Sequence, residues 1–88
     1  MIKLINLLQL LIDVLNKNRK VQLAIFFEKK RDEITLYEND IKQTRQTLKL
    51  LSTCRAMAQH ADFSLIEEKY LDDIINESIF ILKSTIDK

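Results

Sequence analysis

The sequence predicts an all-α fold: a small antiparallel bundle of three helices, or four, with coiled-coil-like heptads, completed by homodimerisation. Three observations predict it. The chain contains no glycine and no proline, so turns must be made by Asn, Asp, Ser, Thr or Lys, and tight hairpins that need positive φ are disfavoured. Apolar residues recur at three- and four-residue steps through most of the chain. A Ser-x-x-Glu box, "SLIE", marks a helix start late in the sequence, with Ser64 as N-cap and Glu67 three residues on. The 88 residues form a single domain, 1–88, and a chain this short buries a modest fraction of its surface, which favours oligomerisation.

The first element is helix 2–15. At about 100° per residue, Leu4, Leu7, Leu8, Leu11, Val14 and Leu15 share one side, and Lys3, Asn6, Gln9, Asp13 and Asn16 share the other. Ile5 and Ile12 widen the apolar face past half the circumference, and a face this wide needs more than one neighbouring helix to cover it. The uninterrupted apolar runs fall far short of the roughly 20 residues of a membrane span. An interfacial helix would carry Lys or Arg along its polar face, and here only Lys3 does so, opposed by Asp13.

A phase slip follows. Leu23, Phe27, Ile34, Tyr37, Ile41, Leu48 and Leu51 fall on one heptad-like series, with Lys30 and Thr44 in its remaining positions. Extended backwards, that series lands on the polar face of the first helix, so the slip lies within 16–20, where two Asn residues favour a turn. Beyond it, one continuous helix from about 20 to 60 competes with a break at 35–40, where "TLYE" and "DIKQ" both resemble capping boxes. The best-supported break is 61–64. The final helix runs to about 86, with Glu67 and Glu68 at the positive end of its dipole and Tyr70, Leu71, Ile74, Ile75, Ile79 and Leu82 as its inner face. Near the end of the preceding helix, Cys54, Ala58 and Ala61 form a small-residue side where a neighbouring backbone can approach.

Net charge is +1, unevenly spread. Residues 1–31 carry seven Lys/Arg and two acids, 32–61 carry four of each, and 62–88 carry seven acids and three Lys. This pattern favours packing of the first helix against the last, with opposite charges side by side. On this reading Lys17, Arg19 and Lys20 serve the fold. Lys42, Arg45 and Lys49, on the side of their helix away from Ile41, Leu48 and Leu51, face a partner.

Little in the composition points to chemistry. Without glycine there are no phosphate-cradling loops, dinucleotide turns or nucleophile elbows. His60 and Cys54 are six residues apart on well-separated helix faces and cannot form a local thiolate–imidazole pair. "HAD" at 60–62 offers two potential metal ligands and lacks a third at helical spacing. The carboxylate pairs Glu68/Asp72 and Asp73/Glu77 face a basic second helix, which suits salt bridges better than a cation cluster. A single cysteine forms no internal disulfide and fits a reducing compartment. No convincing secretory signal is present, so a cytoplasmic location is expected.

The expectation is therefore a non-enzymatic protein–protein interaction module without metal, cofactor or small-molecule substrate, acting as an oligomer. Adaptors, inhibitors and accessory proteins of phages or mobile elements have this form. The expected partners are a second copy of the chain, through Leu4, Leu8, Leu11, Leu15, Phe27, Ile34, Ile41 and Leu48, and another protein, through Lys42, Arg45 and Lys49. The alternatives are a peripheral membrane protein using helix 2–15 and a small nucleic-acid-binding protein using the basic stripe.

Overall fold

The computed structural model describes residues 2–37, 39–56 and 62–86, with side chains to 84. Its described residues form four helices packed against one another and no strand: α1 Ile2–Lys17, α2 Val21–Leu36, α3 Ile41–Ser52 and α4 Leu65–Ile86. Residues 35–40 thus do break the helix. Asp40 is the N-cap of α3, its carboxylate accepting from the Gln43 N–H at 3.3 Å, so "DIKQ" is the box that is used. The heptad series runs across this break, and its two halves lie on different helices.

The break at 16–20 is a Schellman motif. The Lys20 N–H donates to the Leu15 carbonyl at 2.8 Å and the Arg19 N–H to the Asn16 carbonyl at 3.1 Å. Arg19 takes a φ of 63°, where glycine is usual. Asp62, before α4, takes a φ of 54°. A chain without glycine therefore adopts positive φ twice among its described residues, and at Arg19 this closes the end of α1 and satisfies carbonyls that would otherwise lack donors.

Side-chain contacts give the helix directions. Arg31 of α2 donates to Gln9 of α1 at 2.6 Å, and Thr47 of α3 donates to Glu33 of α2 at 3.2 Å. Lys3 pairs with Glu77, while Asn18 and Lys20 reach Glu67 at the other end of α4. Consecutive helices run antiparallel, and α1 runs antiparallel to α4. α1 packs on α2 and α4, and α3 packs on α4. Thr44 holds the α2–α3 junction, donating to the Tyr37 carbonyl at 2.6 Å. The molecule measures 40 × 21 × 19 Å, and the 22 residues of α4, about 33 Å at 1.5 Å per residue, run most of its length.

One core joins all four helices. Leu4, Leu8, Leu11, Ile12 and Leu15 enter from α1, Ala24, Phe27 and Ile34 from α2, Leu48 and Leu51 from α3, and Leu71, Ile74 and Ile75 from α4. The wide apolar face of α1 is covered by α2 on one side and α4 on the other. Two positions depart from expectation. Ile41, the first residue of α3, is 66% exposed. The inner face of α4 uses Ser78 in place of Ile79: Ser78 is fully buried, its hydroxyl donating to the Ile74 carbonyl at 2.8 Å, and Ile79 is exposed.

Candidate functional site

The most elaborate polar arrangement lies where α4 begins. The "SLIE" box is complete: the Glu67 N–H donates to Ser64 Oγ at 3.3 Å, and Glu67 Oε1 accepts from the Ser64 N–H at 2.7 Å. Glu67 is also fully buried. Its Oε1 accepts from Lys20 Nζ at 2.7 Å and its Oε2 from Asn18 Nδ2 at 2.8 Å. Lys20 Nζ donates in addition to the Asp62 carbonyl at 2.7 Å and stands 5.4 Å from the Phe63 ring centroid. Burial pushes the Glu67 carboxyl up. The hydrogen bonds from Lys20, Asn18 and the Ser64 N–H, with the charge of Lys20, more than offset this and hold it below its ordinary value of 4.5. Every acceptor site that faces a neighbour is used, so the cluster acts as a latch between the α1–α2 turn and the start of α4.

The charge segregation of the sequence is used in part as expected. Lys20–Glu67 and Lys3–Glu77 join the basic beginning to the acidic end, and Arg55–Asp72 joins the α3 side to α4. The internal role assigned to Lys17, Arg19 and Lys20 holds for Lys20 alone. Lys17 and Arg19 are exposed and take part in no ion pair among the described residues.

Lys42 and Lys49 are exposed and Arg45 is half-buried on the outer side of α3. The inner side of that helix is Thr44, Thr47, Leu48 and Leu51. Arg45 Nε is buried with no hydrogen-bond partner. Between α2 and α3, Lys30, Glu33, Gln43, Gln46, Thr47 and Leu50 line a shallow polar cleft, in which Lys30 and Thr47 both donate to Glu33. Between α1 and α4 lies a larger open groove of about 410 Å³, lined by Lys3, Leu7, Asp73, Asn76, Glu77 and Phe80.

Phe80 is 64% exposed. Leu10 stands one turn beyond Leu7 on α1, and Ile66 stands two turns before Asp73 on α4, so both continue this seam; both are exposed. Sequence reasoning missed the seam, although Phe80 falling outside the inner face of α4 was a signal.

The eight residues expected to join two copies are placed as follows. Leu4, Leu8, Leu11, Leu15, Phe27, Ile34 and Leu48 have no exposed surface within a single chain, so in this arrangement they have none to offer a second copy. Ile41 alone stands outside. The face that α1 would lay on a lipid surface is the same buried face, and among the described residues no helix is long and apolar enough to cross a membrane.

Cys54 is buried, its thiol donating to the Leu51 carbonyl at 3.0 Å. Burial raises the thiol's pKa, a backbone hydrogen bond opposing it. Ala58, Ala61 and His60 lie outside the described residues. Among those described, no group of three or more His, Cys, Asp or Glu could hold a metal ion. No protein-family model, curated protein or solved structure matches the chain.

Proposed function

We propose that this protein is a non-enzymatic interaction module that associates with itself through the α1–α4 seam and binds another protein through the outer side of α3. The observation that carries the reading is the placement of large apolar side chains on the outside of a molecule whose core is already filled. Leu10, Ile66 and Phe80 follow one seam beside an open groove. An exposed phenylalanine next to a groove is the form that interface anchors take, an aromatic filling a pocket on the partner surface. The charges flanking the groove are mixed in sign, Lys3 with Glu77 and Lys69 with Asp73. A balanced apolar strip of this kind suits a second copy of itself better than a strongly charged partner.

Sedimentation equilibrium of the full chain across micromolar concentrations tests the self-association. A dimer or higher oligomer is expected, and a stable monomer throughout that range removes it.

A further inference from the structure

We propose that the outer side of α3, with the last turn of α4, docks an acidic amphipathic helix of a partner protein. This deepens the partner-binding half of the proposed function and rests on it. α3 carries Lys42, Arg45 and Lys49 and not one Asp or Glu. The three cations are spaced three and four residues apart, so they form a single stripe about 10 Å long at 1.5 Å per residue.

Six cations of the described residues have a carboxylate, and outside α3 and α4 only Lys17, Arg19 and Lys29 of those described have none. Lys3, Lys20, Lys30, Arg31, Arg55 and Lys69 are each in an ion pair. Lys42, Arg45 and Lys49 are in none among the described residues, and neither is Lys83, exposed in the last turn of α4. α3 runs antiparallel to α4, so that last turn lies at the end of the molecule where α3 begins. Lys83 therefore lies towards the Lys42 end of the stripe, and the mutual repulsion of cations without carboxylates is relieved by an anionic partner.

Arg45 adds a second observation. Its Nε is buried with no hydrogen-bond partner, an arrangement that costs free energy and returns no internal hydrogen bond. The packed stem leaves the guanidinium less rotamer freedom to lose when a carboxylate arrives, which favours binding by preorganisation.

The surroundings select the class of anion. Ile41, four residues before Arg45, and Ile79, four residues before Lys83, are exposed beside the stripe, and α3 has no aromatic residue on which a base could stack. Cations with aliphatic neighbours match a helix that shows carboxylates at i, i+3 or i+4, and i+7 and apolar residues beside them.

The probe is a fluorescein-labelled, alanine-based helical peptide with Glu and Leu on one face, titrated with the full chain by fluorescence anisotropy. Controls are the same peptide with Leu replaced by Ser or Glu by Gln, a mixed-sequence duplex DNA, and phosphatidylglycerol vesicles. The wild type is expected to bind the Glu/Leu peptide more tightly than any control. Lys42→Gln/Arg45→Gln/Lys49→Gln should remain folded and lose about tenfold or more in affinity. Lys42→Glu/Lys49→Glu changes only exposed side chains, keeps the Arg45 stem packed, and should turn the preference towards a Lys/Leu peptide. Undiminished binding by a folded triple variant, no preference reversal in the double variant, no binding of the Glu/Leu peptide, or tighter binding of the duplex or the vesicles overturns the assignment. Sedimentation of the same variants keeps the two readings apart, since loss of peptide binding with association intact touches α3 alone.

Discussion

Glu67 shows how much one side chain can hold in place. It caps its own helix, neutralises Lys20 and receives Asn18, all without contact with solvent. Breaking a buried pair by removing one partner costs about 3–5 kcal/mol, and Lys20, whose side chain keeps 25% exposure, can recover some hydration, so Glu67→Ala should fall at the lower end, about 3 kcal/mol. Because the folded carboxyl is held below 4.5, the unfolded chain takes up the proton more readily. The stabilisation is full above about pH 5 and is lost as pH falls through the folded value. Thermal melting of Glu67→Gln should accordingly show a lower midpoint at neutral pH and a flatter acid limb than the wild type, and an acid limb as steep as the wild type's would contradict it. The capping role of Glu67 was legible from "SLIE"; its burial and its bond to Lys20 were not, since the two residues are 47 positions apart and only the α1–α4 packing brings them together. Cys54 is the simpler case. Its thiol is buried and its pKa raised, so native protein should react with a thiol reagent far more slowly than denatured protein, and equal rates would show the site to be open.

At the level of elements, the turns are where a chain without glycine is tested. Arg19 adopts αL geometry at the C′ position, at a cost of about 1–2 kcal/mol for a residue with a Cβ. Arg19→Gly removes that cost and adds unfolded-state entropy of about 0.5–1 kcal/mol. The net expectation is a small stabilisation, about 0.5 kcal/mol, read by urea denaturation; a clear destabilisation would mean that the arginine side chain itself supports the turn. Three helix boundaries were legible because each has a local chemical mark: two Asn residues at 16–20, Asp40 before Gln43, and Ser64 before Glu67. The inward side of a helix is less local. Hydrophobicity favours Ile79 over Ser78, yet Leu71, Ile74 and Ile75 fix the rotation of α4, and Ser78 lies seven and four residues beyond the first two. Its hydroxyl can be buried because it bonds back to the Ile74 carbonyl. Ile41 is the reverse case, an apolar residue seven before the buried Leu48 that is itself exposed.

At the scale of the molecule, the sequence pointed to more apolar surface than three helices could bury. The expected remedy was a second copy meeting the chain through its core residues. In the single chain the α1 face is covered by α2 and α4. What remains for association is a different set of side chains, the α1–α4 seam, and this set was not legible because it is defined by what the fold leaves outside. The two sets respond differently to substitution. A charge placed at Leu11, which has no exposed surface, costs several kcal/mol and should unfold the chain. Charges at Leu10 and Phe80, 45% and 64% exposed, should alter monomer stability by only about 0.5 kcal/mol each. The most direct measurement is therefore sedimentation equilibrium of Leu10→Lys/Phe80→Lys beside the wild type, with thermal melting of both. The wild type is expected to be oligomeric and the double variant to sediment as a single folded chain, its midpoint lowered only by the loss of association. A double variant with the wild-type mass would contradict it.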